Sequence, residues 1–173
     1  VKPARVHLER PAARHRDEFL AAVRRSRRLH GQFASPPSDR RAYDAWLKRL
    51  GGPSAEGHLV ISDEHAALGG VININELVGG NFQSGYLGYY AFEPHAGHGL
   101  MRAGLRLVIR RAFGELRLHR LEANIQPENA PSIALVQALG FELEGFSPRY
   151  VKIGGRWRDH ERWALLRENW RAR

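Results

Sequence analysis

Between Tyr89 and Phe141 the chain runs from a strand-like segment through a compact turn holding Gly97-His98-Gly99 into an amphipathic helix. A second strand follows, and Gln126-Pro127-Glu128-Asn129-Ala130-Pro131-Ser132 leads into another helix. The aromatic-rich run Tyr86-Leu87-Gly88-Tyr89-Tyr90-Ala91-Phe92 stops at Glu93-Pro94, as a strand should. From Gly99 onward, Leu105, Val108, Ile109, Ala112, Phe113 and Leu116 recur at helical spacing and mark one buried face. Glycines at 97 and 99 permit positive φ and remove two Cβ atoms, so consecutive N–H groups at the helix start can converge on an anion, with diphosphate the natural guest.

A lone Gly-x-Gly also fits a plain tight turn, so its context has to decide. No Gly-Lys-Ser/Thr follows Gly99, which removes the lysine and hydroxyl of a P-loop. The third glycine of a dinucleotide fingerprint is missing, Met101 and Arg102 crowd the turn, and no regular βαβ alternation precedes it.

With those blocks in view the chain resembles the Gcn5-related N-acetyltransferases (GNAT), and within them the RimJ/RimL-like group that acetylates protein N-termini. The matching residues are Gly88-Tyr89-Tyr90-Ala91-Phe92, Gly97-His98-Gly99-Leu100-Met101, His119-Arg120-Leu121-Glu122-Ala123-Asn124-Ile125, Pro127-x-Asn129-x-x-Ser132, Leu139-Gly140-Phe141 and Gly155-x-Trp157-Arg158-Asp159-His160. The last two blocks point to the RimJ-like branch, and the resemblance extends from Arg5 to Leu166. It implies acetyl-CoA as co-substrate, bound where two central strands splay apart. By position, Tyr89, Ala91 and Phe92 would offer main-chain groups to pantetheine. Ala96, Gly97, His98, Gly99, Leu100 and Met101 would hold the pyrophosphate, and Asn129 would contact pantetheine. Read without the family, Asn129 before Pro131 is a good helix N-cap.

Two departures from the family pattern matter. Ala96 stands where the family favours Gln or Arg, and Val136 stands where many members place a tyrosine that protonates the leaving thiolate. Ser132, one helical turn before Val136, resembles the serine of the RimJ/RimL-like branch and is expected to stabilise or protonate the thiolate; a first-turn helix serine is its plainer meaning. Glu76, in the strand-like run Val71 to Val78, is the candidate base if it is partly buried at the cleft. A solvated strand-end glutamate is the alternative. His160 and Asp159 are further candidates, as is a water relay. Phe33, Trp46, Tyr150 and Trp157 are expected to line the acceptor groove, although core packing is the default meaning of aromatics at such spacings.

The reaction so implied asks the protein mainly for positioning and electrostatics. An α-amine with a pKa near 7.8 is about 14% neutral at pH 7, against about 0.04% for a lysine near 10.4. Without a strong base, N-termini are the favoured acceptors, with a ribosomal-protein alanine or serine implied by the resemblance. Acetylation of a small amine or antibiotic, and a ribosome- or RNA-binding module with a degenerate site, remain as other readings.

Composition fits this picture. With 173 residues the chain suits a single domain, 1–173, with a sizeable core. There is no apolar run of membrane-spanning length and no apolar core near the N-terminus, so the expectation is a cytoplasmic protein with no membrane partner. Cysteine is absent, and nine histidines are scattered without His-x-x-x-His spacing, so no metal is expected. The formal charge of +9, with Arg24, Arg25, Arg27 and Arg28 near Lys2, Arg5, Arg10, Arg14 and Arg16, suits CoA phosphates and would also draw the protein toward RNA. A solvated arginine-rich helix is the plain alternative.

The remaining organisation reads as one α+β domain with a mixed, mostly antiparallel sheet of six to seven strands and flanking helices. Val6 and Leu8 alternate in a first strand, and Pro11 to Leu29 is helical. Ser38 caps a second helix in which Ala42, Tyr43, Trp46, Leu47 and Leu50 share a face. Strands are predicted near His58–Ser62, Ala67–Val78 and Ser84–Phe92, then helix Gly99–Arg117, strand Arg120–Ile125, helix Pro131–Leu139 and a terminal pair near Phe141–Ile153 and Arg156–Leu166 turning at Gly154-Gly155.

Overall fold

The computed structural model describes residues 4–170. Seven strands, β1 (Val6–Glu9), β2 (Glu56–Ser62), β3 (Ala67–Val78), β4 (Ser84–Ala91), β5 (Arg120–Ile125), β6 (Glu142–Ile153) and β7 (Arg156–Leu166), form one sheet in the order β1-β2-β3-β4-β5-β7-β6. Every neighbouring pair is antiparallel except β4 and β5. The helices are α1 (Arg16–Arg25), α2 (Arg27–His30), α3 (Arg40–Leu50), α4 (Leu100–Gly114) and α5 (Ala130–Ala138), with short 3-10 turns at Ala13–His15 and Arg167–Asn169. No helix among the described residues is long and apolar enough to cross a membrane.

Two hydrophobic layers cover the sheet, and the strand period sorts side chains between them. Val60, Ile72 and Ile74 face α4, where Leu105, Val108 and Ile109 are fully buried against them. Leu59 and Val71, one residue out of phase, join Phe19, Tyr43, Trp46 and Phe92 beneath α1 and α3. Helix α4 lies close on the sheet because Gly104 has no side chain: a Cβ there would come within 2.7 Å of a Val60 methyl. In the second layer Phe19 stacks on Trp46 at 5.2 Å between ring centroids and meets Phe92 edge-on at 5.7 Å.

The predicted helix from Pro11 to Leu29 is broken in the structure. Ser26 interrupts it, fully buried, and its Oγ accepts the Glu93 N–H at 2.9 Å. Four residues later the buried His30 donates Nε2–H to the Ala91 carbonyl at 2.9 Å. Both bonds tie the α1–α2 corner to the end of β4, so a helix kink is exchanged for two satisfied buried groups. The predicted cap also moves by one: Asp39, not Ser38, accepts the Ala42 N–H at 2.8 Å at the start of α3. Helix α4 ends at Gly114, short of Arg117, whose φ is +53°. Gly154 and Gly155 form the β6–β7 turn, both with positive φ, as a tight hairpin requires.

Candidate active site

The cleft begins where β4 and β5 part. Their parallel register runs only from Ser84 opposite Arg120 to Leu87 opposite Ala123; beyond it Gly88–Ala91 and Asn124–Ile125 have no mutual pairing. On its other side β4 remains bonded to β3, with Gly70 opposite Ala91. The Phe92 N–H donates to Gly69 O at 2.9 Å, and antiparallel alternation then turns the main-chain groups of Tyr90 toward β3 and those of Tyr89 and Ala91 toward the opening. Two of the three strand residues predicted to offer backbone groups are therefore suitably turned, although the Ala91 carbonyl already receives His30. Phe92 is not. Its N–H is engaged with Gly69, its C=O accepts from His95 N–H at 3.0 Å, and its ring is fully buried.

Below this opening the glycine turn forms as its sequence requires. Gly97 and Gly99 both have φ of +81°, a conformation costly for any residue with a Cβ, and Gly99 is the left-handed cap that starts α4. Ala96, Gly97, Gly99, Leu100 and Met101 border a largely apolar chamber of about 370 Å³ together with Tyr89, Asn129 and Ser132. His98 turns away and faces a separate surface depression beside Asp63 and His95. Arg102, which crowds the turn, also borders the apolar chamber. It supplies a cation on the wall where Ala96 supplies none.

A second, more polar chamber of about 470 Å³ opens on the other side of the splayed strands. Asn73, Asn75, Glu76, Asn124, Tyr150 and His160 line it, and Phe33, Tyr89, Tyr90, Asn129 and Ser132 border both chambers. Asn73 Oδ1, Asn124 Oδ1 and Tyr90 OH are buried without a protein partner, so unused hydrogen-bonding capacity concentrates in this wall. Gln126, buried and itself lining the polar chamber, donates Nε2–H to Gln32 O at 3.0 Å and ties down the loop that carries Phe33.

The two chambers meet at one hydrogen bond. Tyr89 OH and Ser132 Oγ lie 2.6 Å apart, and burial pushes the phenol pKa up to about 12. Asn129 caps α5, its Oδ1 accepting the Ser132 N–H at 3.3 Å, so the helix start holds Ser132 at the junction. Val136, one turn on, is fully buried in the core.

Other predicted residues fall elsewhere. Glu76 does border the polar chamber, but it is exposed, in a bulge of β3 with φ of +49°, rather than partly buried. Phe33 and Tyr150 line the polar chamber. Trp46 does not: it is a core residue at 6% exposure, stacked on Phe19. Trp157 is 60% exposed on β7 and borders neither chamber. His160 is buried at 3% exposure and lines the polar chamber, its Nδ1–H donating to Arg158 O at 2.9 Å. Asp159 instead accepts the Arg149 N–H at 2.7 Å. The Tyr89 phenol, Gln126 and His30 give no chemical signal in the sequence, because each acts through a neighbour distant along the chain.

Residues 5–142 match the model of the acetyltransferase (GNAT) domain, and the chain belongs to that family. It is 41% identical over 101 residues to the [ribosomal protein uS5]-alanine N-acetyltransferase of Escherichia coli, covering 58% of this chain and 52% of that protein. The chain spans about half the length of the curated relatives it matches. Among solved structures, Mycobacterium smegmatis RimJ in complex with CoA-disulfide superposes with a TM-score of 0.86 at 23% identity, over 94% of this chain and 82% of that one. Spermidine N-acetyltransferase from Vibrio cholerae, in complex with CoA and spermine, superposes with a TM-score of 0.80 at 17% identity, over 95% and 96%. At those identities the likeness establishes the shared fold.

Proposed function

We propose that this protein transfers the acetyl group of acetyl-CoA to the α-amine of a protein N-terminus. The observation that carries the reading is the pair of chambers on either side of the β4–β5 opening, joined at Ser132. One ends on the glycine turn and the other on polar side chains. In this reading the N–H groups of the turn from Ala96 to Met101, with Arg102, hold the pyrophosphate, while Tyr89 and Ala91 main-chain groups and Asn129 run along pantetheine. Acetyl-CoA supplies the activated acyl group. A neutral amine entering from the polar chamber attacks the thioester carbonyl, the amine proton leaves through Glu76 or water, and the C–S bond breaks as Ser132 Oγ–H donates to the sulfur.

The lining of the polar chamber supports an N-terminus over a polyamine. Among the described residues Glu76 is the only carboxylate bordering it, whereas a polycation would call for several. Phe33 and Tyr150 would flank the acceptor chain, with Trp157 outside the mouth. Arg24, Arg25, Arg27 and Arg28 are all exposed, which suits a polyanionic setting such as the ribosome and a cytoplasmic location; Lys2 lies outside the described residues. We assign the whole of 1–173 to this one acetyltransferase domain.

The test is a thiol-release assay with mass detection across Ala- and Ser-initiated peptides, spermidine and kanamycin. Acetylation of the peptides alone is the expected result. Turnover of spermidine or kanamycin in preference to every peptide would overturn the acceptor assignment.

A further inference from the structure

Val136 is buried in the core and α5 brings no phenol to the cleft, yet a phenol meets Ser132 from β4. Tyr89 OH has Ser132 Oγ as its partner at 2.6 Å, in a site dry enough to hold the neutral phenol form well past pH 10. The direction of that bond follows from counting hydrogens. A buried phenol carries one hydrogen that must be received, and Ser132 Oγ is the acceptor within reach. A phenol is also the stronger donor of the two hydroxyls. Ser132 stands where both chambers meet, and with its lone pair receiving Tyr89 its own hydrogen is free to turn toward the cleft.

We infer that Tyr89 is a positioning residue that donates its phenolic hydrogen to Ser132 Oγ and thereby directs the Ser132 hydroxyl hydrogen at the sulfur of the departing thiolate. This deepens the proposed function and rests on it. No proton changes owner along the pair: the C–S electron pair stays on sulfur, and two aligned O–H donors in series stabilise it. Hydrogen bonds in a chain polarise one another, so the Ser132 hydroxyl is a better donor with Tyr89 behind it than alone. The bond also fixes the serine rotor, which a first-turn helix serine facing open space would lack.

The experiment measures ionisation of the CoA thiol itself, so that it does not depend on knowing the acceptor. CoA is bound to the wild type, Tyr89→Phe, Ser132→Ala and the double variant, binding is verified by calorimetry, and the thiolate absorbance of the bound thiol is followed against pH. The expected result is a thiol that ionises most readily in the wild type, about tenfold less readily in Ser132→Ala and about threefold less in Tyr89→Phe, one pKa unit being a factor of ten. The double variant should equal Ser132→Ala. With an acetylatable peptide, kcat should fall in the same order while the acetyl-CoA KM and the unfolding midpoint of Tyr89→Phe stay near wild type. Unchanged ionisation in Tyr89→Phe, or a further loss when Phe is placed in the Ser132→Ala background, overturns the inference. Failure of the wild type to bind CoA overturns both this inference and the cofactor assignment, whereas normal thiol behaviour without peptide turnover sinks the acceptor assignment alone.

Discussion

The apolar chamber and the polar chamber share a wall, but they are built in different ways. The first draws most of its lining from the stretch between Tyr89 and Ser132, with a strand edge, two left-handed glycines and two helix starts, and the segment Leu29 to Ala34 adds apolar side chains to it. The second gathers side chains from distant segments, with Phe33 from a loop, Asn73 and Glu76 from β3, Asn124 from β5, and Tyr150 and His160 from the last hairpin. A site made of backbone is sensitive to conformation and tolerant of side-chain identity. A site made of side chains is the reverse, and is where acceptor specificity can vary on a constant scaffold.

That contrast can be broken most severely at Gly99. Gly99→Val forces a β-branched residue to φ of +81°, although no atom lies closer than 3.8 Å to the new Cβ. Conformation rather than collision then does the damage, and calorimetry should find CoA affinity reduced by about 100-fold, equivalent to about 2.7 kcal/mol. A loss below threefold would mean that the turn is not the anion cradle.

Arg102→Ala removes a charge but no backbone. CoA affinity should fall by about five- to tenfold and depend less steeply on salt, whereas an unchanged salt response would place the pyrophosphate elsewhere. On the polar side, Tyr150→Ala should raise the peptide KM by about threefold with acetyl-CoA KM unchanged, while Trp157→Ala should move either constant by less than twofold. Equal effects on both substrates would deny that the chambers are separate.

The smallest effect concerns pH. Burial lowers the pKa of His30, and of His58, below the ordinary imidazole value of 6.5. Below pH 6.5 these two rings therefore take up protons in the unfolded chain that they refuse in the folded one, and their contribution to stability is lost as pH falls through that range, against the opposite contribution of His7, whose pKa is raised by Asp63. Calorimetric unfolding should show a shallower decline for His30→Gln than for wild type. A steeper one would contradict the burial of a neutral ring against Ala91 O.

The same contrast explains what the sequence disclosed. The strand–turn–helix–strand–helix order, the two-sided sheet and the glycine turn are written in local periodicity, so the glycine-turn end of the apolar chamber and most element boundaries are legible directly, while the part lined by Leu29 to Ala34 is not. Where the structure departs from local periodicity, a tertiary contact overrides a local rule. Ser26 breaks a helix because Glu93 needs an acceptor, and Phe92 leaves the cleft because the aromatic cluster beneath α1 and α3 takes its ring. Trp46 shares its helical spacing with Tyr43 and Leu50, a pattern that is identical for core and groove, and the core took it. Glu76 follows the solvated alternative, and its exposure depends on a bulge that nothing in Asn75-Glu76-Leu77 announces.

The most direct test of the account is a crystal structure of the protein with CoA bound. The pyrophosphate oxygens should lie within about 3 Å of the N–H groups of the turn between Ala96 and Met101, and the thiol should sit beside Ser132 between the two chambers. A pyrophosphate bound outside this turn, or a thiol remote from Ser132, would contradict it.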